Sequence, residues 1–179
     1  MQKLLLLWVA VFLTVPALGH GGVSREILKQ LFPEAENFVN RRKVLTPQQI
    51  SKVERDSGDS VQKADINLEV FVAVAKDSET GKMKSLGGAL MIDAAVSAGT
   101  VDMVIAYNLD GSVKKVIVMD ESTDQSLNSD GFLGQFEGKG LMDGWDPETD
   151  FSLTNNSVDS RSLIKAVYRG LHLFLAFLS

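Results

Sequence analysis

The chain runs to 179 residues, 45% apolar and 23% charged, with 15 glycines, 4 prolines, no cysteine and a formal net charge of −5. That length suits one domain, and the apolar and charged fractions exclude wholesale disorder and collagen-like repeats. Without cysteine there is no disulfide framework, thiolate zinc site, cysteine-held iron–sulfur cluster, Cys-x-x-Cys-His haem attachment or lipobox anchor. Two histidines leave little for a histidine-based metal site or a Ser-His-Asp triad. The acidic balance argues against a broad footprint on nucleic-acid phosphates. Chemistry supplied by a bound cofactor is a more promising expectation than hydrolysis.

Residues 1–19 read as a secretory signal. Lys3 gives the positive n-region, Leu4 to Val15 the apolar core, and Ala17-Leu18-Gly19 the small residues before a cleavage point. The run is shorter than the roughly 17–25 apolar residues of a spanning helix, and Pro16 closes it. Cleavage before His20 is expected, with an uncleaved anchor as the alternative. Residues 20–179 then form a single domain outside the cytoplasm, periplasmic or on the outer face of the membrane.

Ser24 caps a short helix whose Ile27, Leu28, Leu31 and Phe32 share a face, and Pro33 ends it. Phe38 to Leu45 reads as a strand carrying Arg41-Arg42-Lys43, an exposed edge kept soluble by charge. Thr46-Pro47 opens a second helix to about Asp56. Ile66 to Ala75 alternates as a strand and breaks at the hairpin loop Asp77-Ser78-Glu79-Thr80-Gly81. Leu86 to Val96 contains Gly87-Gly88, a sign of close backbone approach or a bulge. Val101 to Tyr107 and Val113 to Met119 are strands joined across Asn108-Leu109-Asp110-Gly111. An acidic, glycine-rich stretch with a helical turn at Phe132 to Phe136 leads to a last helix from about Asn156 to Leu178. Its stripe is Leu163, Ala166, Val167, Leu171, Phe174, Leu175 and Leu178. The pattern predicts an α+β domain with an antiparallel sheet, N-terminal helices and a long C-terminal helix. Val104, Ile117, Leu163, Val167 and Phe174 are expected in its core. The run Leu171 to Phe177 is too short to span a bilayer; packing inside the domain is the default expectation, with docking on the first helix or an apolar patch for a membrane partner as alternatives.

Val101-Asp102-Met103-Val104-Ile105, Asp110-Gly111-Ser112-Val113-Lys114-Lys115-Val116 and Asp120-Glu121-Ser122 together resemble the FMN-binding domain family. That family includes the flavin-carrying subunits of ion-pumping quinone reductase and of related electron-transport complexes. Leu31-Phe32-Pro33-Glu34-Ala35, Leu45-Thr46-Pro47-Gln48-Gln49 and Gln135-Phe136-Glu137-Gly138 match in the same order. The family's mark is a Ser-Gly-Ala-Thr sequence before the last helix, its threonine esterified to the FMN phosphate. The matching stretch here is Thr154-Asn155-Asn156-Ser157, with Ser157 at the attachment position and Asp159 where a hydroxyl residue often stands. The asparagines add bulk where a Gly-Ala pair allows close approach to phosphate, and Asp159 would set a carboxylate beside it.

Independently of the resemblance, the first turn of that helix presents unpaired amides and partial positive charge to an anion. Ser157 and Ser160 would add hydroxyls, and Arg161 or Lys165 a cation. The same residues also spell an ordinary N-cap. The resemblance implies FMN held at Thr154, Asn155, Asn156 and Ser157, with Glu121 and Ser122 near the flavin. Non-covalent binding is the favoured form, and a phosphoester at Ser157 the alternative. Trp145 either stacks on the flavin or, the preferred reading, folds back on the core. Asp143, Asp146, Glu148 and Asp150 form a solvated acidic loop rather than a calcium site, lacking EF-hand spacing. His172 reads as structural. The resulting expectation is an FMN electron carrier with a membrane-bound redox partner and no nucleic-acid or metal partner, rather than a substrate-converting enzyme. Its rival is a flavin-free binding or structural module of the same fold.

Overall fold

Local side-chain chemistry sets the helix starts. Ser24 accepts from the Ile27 amide at 3.3 Å and opens α1 (Arg25–Leu31). Thr46 and Gln49 form a reciprocal capping box, with Pro47 at the first position of α2 (Pro47–Ser57). The computed structural model describes residues 22–120 and 124–179. The expected signal, its cleavage point at His20 and the Glu121-Ser122 pair lie outside the described residues.

Five strands follow: β1 (Asn37–Val44), β2 (Asn67–Lys76), β3 (Met83–Val96), β4 (Gly99–Asn108) and β5 (Val113–Val118). They form one antiparallel sheet in the order β1-β2-β3-β4-β5. A short α3 (Asp130–Leu133) runs into a 3-10 turn at Gly134–Phe136, and α4 (Ser157–Leu178) closes the chain. The fold is α+β with N-terminal helices and a long C-terminal helix, as the residue pattern predicts. β3 begins before the expected Leu86, because the ladder continues from Lys76↔Met83 through residues that carry no apolar alternation.

Strand side chains alternate between the two faces of the sheet. Val70, Leu90, Ile92, Met103, Ile105 and Tyr107 meet α4 on one face, with Leu163, Val167, Leu171 and Phe174 buried against them. On the other face Ala73, Ala89, Val104 and Ala106 lie under Leu28, Leu31 and Phe32 of the α1 segment. The glycine pair lets both layers approach. A Cβ on Gly88 would stand 2.9 Å from the Phe174 ring, and one on Gly87 would stand 2.2 Å from the Tyr107 carbonyl oxygen. A register shift between Ala73 and Val74 lies opposite them.

Three expectations need correction, at Ile117, Leu178 and Lys43. Ile117 is only partly buried, because it lies on the α1 face and a helix of 7 residues is too short to cover that face. Leu178 is exposed at the end of α4, whereas Ile164 and Leu173 widen the buried stripe. The run Leu171 to Phe177 takes its default place inside the domain, where α4 packs against β3 and α2, and the alternative of docking on α1 fails because α1 lies across the opposite face. Lys43 is not simply an edge charge. Its ammonium donates to the Ala176 and Phe177 carbonyls at 2.9 and 3.3 Å, capping the C-terminal end of α4. Arg42 does stay exposed and pairs with Glu69 across the edge.

Candidate functional site: the N-terminal turn of α4

Asn156 is the N-cap of α4, its side chain accepting from the Asp159 amide at 3.3 Å. Thr154 folds back over it. The Thr154 hydroxyl accepts from the Asn156 amide at 3.2 Å and lies 2.8 Å from the Ser160 hydroxyl, which donates to the Asn156 carbonyl at 2.9 Å. Asn155 is exposed at the tip of this turn. The structure thus brings Thr154, Asn155, Asn156 and Ser157 together in one capping turn.

The turn has two sides. On the inner side Asp159 is buried, and its Oδ1 accepts from the Ser97 amide at 2.7 Å and the Ser97 hydroxyl at 2.8 Å. Its Oδ2 accepts from the Asn156 side-chain Nδ2 at 2.7 Å. Burial pushes the Asp159 carboxyl up, but these hydrogen bonds outweigh it and hold the pKa below the usual carboxylate value. The expected clash of Asp159 with an anion is accordingly moved: the carboxylate serves the β3–β4 turn. On the outer side Ser157 and Arg161 are neighbours at helical spacing, with the guanidinium donating to the Ser157 hydroxyl at 3.1 Å. Arg161 also pairs with Glu148. Asp124, one residue beyond the undescribed 121–123 segment, approaches the same turn. Hydrogen bonds from the Ser126 amide and hydroxyl, and then from the Asn156 side chain, lower its pKa.

Against known proteins, no family model and no curated protein matches this chain. The outer side offers a hydroxyl and a guanidinium, which suit a phosphate. The inner side is occupied by the turn's own hydrogen bonds.

Trp145 folds onto the core, stacked on Tyr168 with ring centroids 4.8 Å apart and donating to the Gly140 carbonyl at 2.9 Å. The acidic loop caps itself. Asp143 accepts from the Gly140 amide, Asp146 from the Glu148 amide and Asp150 from the Asp146 amide. His172 sits half-buried edge-on to Tyr168, and burial pushes its imidazole pKa down. A groove of about 720 Å³ opens beside Val23, Arg42, Phe71 and Met91, and shares no lining residue with the α4 turn.

Sequence reasoning passed over Arg169. It is 3% exposed, within α4, and its guanidinium contacts Asp59 at 2.6 Å, Asp65 at 3.2 Å and the Asp93 carbonyl at 2.6 Å. The available signal was an arginine flanked by Ala166, Val167, Gly170 and Leu171 on an apolar helix. Such a charge must find partners when the helix packs.

Proposed function

We propose that the chain is an extracytoplasmic FMN-binding electron carrier that holds the nucleotide reversibly and exchanges electrons with a membrane-bound redox partner. One juxtaposition supports this most. Ser157 and Arg161 stand side by side on the open face of the α4 N-terminus, and the chain next to Glu121-Ser122 approaches that same turn at Asn156. These are the segments that the resemblance assigns to phosphate and flavin. In this reading the Ser157 hydroxyl donates to the phosphate and Arg161 turns from Glu148 towards it. That exchange is cheap, because an exposed ion pair contributes little. The first-turn amides add their partial positive charge. Bound FMN would supply the reversible storage of electrons, and the protein its binding and orientation.

A second reading, a flavin-free module with the same fold, is favoured by a specific observation. Thr154, Asn156, Asp159 and Ser160 form a closed capping network, with asparagines where the family has its small residues. The visible spectrum of purified protein, incubated with FMN and passed through a desalting column, separates the two. Retained flavin absorbance is the expected result. Colourless protein would sink the carrier reading and leave the module.

A further inference from the structure

β2 pairs with β3 only from Met83 to Leu90, so among the described residues no strand pairs with the outer edge of β3 beyond Leu90. The β3–β4 register runs Asp93↔Asp102, Ala95↔Thr100 and Val96↔Gly99, closing on a two-residue turn. The Asp93 carbonyl points outward, since it accepts from Arg169. Peptide groups two residues apart on an antiparallel strand face the same way. The N–H and C=O of Ala95 therefore also face outward.

They face a cavity of about 190 Å³ between β3, α4 and the segment after α2. Besides Ala95, its lining includes Asp59, Gln62, Ser162, Lys165 and the buried Arg169. Arg169 is committed to Asp59, Asp65 and the Asp93 carbonyl, so it forms the fixed floor. Lys165 is exposed and has no carboxylate partner among the described residues. Asp59 is partly exposed, with Oδ1 on the Ser60 amide and Oδ2 on Arg169. The outward N–H and C=O of Ala95 thus line one cavity together with a cation, Lys165, and an anion, Asp59.

We infer that this cavity binds a small free α-amino acid. The ligand carboxylate takes the Ala95 N–H and the Lys165 ammonium. The ligand ammonium takes the Ala95 C=O and the Asp59 carboxylate. A cavity of about 150 Å³ is enough for benzene, and alanine has the same number of heavy atoms, so size limits the ligand to the smaller amino acids. The inference is independent of the flavin reading and shares no residue with the Ser157–Arg161 pair.

The test is thermal unfolding of the purified full chain with glycine, L-alanine, acetate, methylamine and N-acetyl-L-alanine in turn. A ligand that binds the native state raises the midpoint with concentration. Glycine or L-alanine is expected to do so, while the three partial mimics do not. Lys165→Met, which alters an exposed side chain and keeps the fold by circular dichroism, should weaken the effect about tenfold, the loss of one charge-assisted hydrogen bond. No shift with either amino acid overturns the inference. So does an equal shift with acetate, which marks an adventitious ion only, or unchanged amino-acid affinity in Lys165→Met.

Discussion

Asp159 reaches from the first turn of α4 to the β3–β4 turn, where one carboxylate oxygen accepts from both the amide and the hydroxyl of Ser97. The carboxylate at this position has an architectural role. A carboxylate near a helix N-terminus is favoured by the dipole, and here it also satisfies a turn amide on the neighbouring sheet. The same bond fixes which side of the α4 N-terminus remains open to a ligand.

Asp159→Ala is therefore expected to destabilise the fold by about 1.5–3 kcal/mol, the range for hydrogen bonds to a charged group. The pH dependence follows from the depressed folded pKa. The carboxylate contributes its stability above the unfolded value near 3.8, and that contribution is lost as pH falls through the lower folded value. Denaturation of wild type and variant at neutral and strongly acid pH checks both statements. A stability gap that did not narrow in acid would remove Asp159 as the cause.

Gly88→Ala tests how closely α4 approaches the sheet. Its Cβ would meet the Phe174 ring at 2.9 Å and Val70 at 3.1 Å, both well-packed core groups. Overpacking of this kind costs about 1–3 kcal/mol. A midpoint in urea equal to that of wild type would show that Phe174 moves aside freely.

What was legible in the sequence was local. Ser24, Thr46 and Asn156 announce helix starts because a cap is made within three residues of chain, and the alternation Val70, Val72, Val74 marks β2 as a strand although only Val70 of the three is fully buried, the register shifting between Ala73 and Val74. What was illegible depends on distant partners. Lys43 finds the end of α4 more than a hundred residues away, and nothing in Arg41-Arg42-Lys43 distinguishes it from its neighbours. Ile117 has a core residue's chemistry but lies on the face that α1 covers incompletely. Within the candidate site, the capping residues were readable from their types. The division of the turn into an inner side at Asp159 and an outer side at Ser157 needed the sheet.

Arg169 and Asp65 are each nearly inaccessible to solvent and form an ion pair at 3.2 Å. Burial pushes the Asp65 carboxyl up, and Arg169 only partly opposes that effect. Arg169→Met leaves Asp65 buried without its cation and is expected to cost about 3–5 kcal/mol at neutral pH. Adding Asp65→Asn should recover part of the loss. Because the Asp65 folded pKa is raised, the cost of burying its charge is relieved as pH falls through that value, so the Arg169→Met deficit should shrink in mild acid. Equilibrium unfolding of both variants is the measurement. A double variant as unstable as Arg169→Met would show that packing, rather than an unpaired carboxylate, sets the loss.

In the proposed FMN-binding reading, Ser157 sets the mode of attachment. The hydroxyl stands on the outer side of the α4 turn with Arg161 at 3.1 Å, and two asparagines precede it. That environment supports a phosphate held by hydrogen bonds and charge, without recognition by an attaching enzyme. Ser157→Ala should then weaken FMN affinity by about 1.5–3 kcal/mol, one hydrogen bond to a charged group, and should leave some binding in place. Arg161→Met should weaken it as well, more strongly at low salt because the interaction is exposed and screened. Intact mass under denaturing conditions, after co-expression with a flavin transferase, separates the two modes. Reversible binding leaves the unmodified chain mass. An added FMN phosphoester that vanishes in Ser157→Ala would replace the reversible model with the ester.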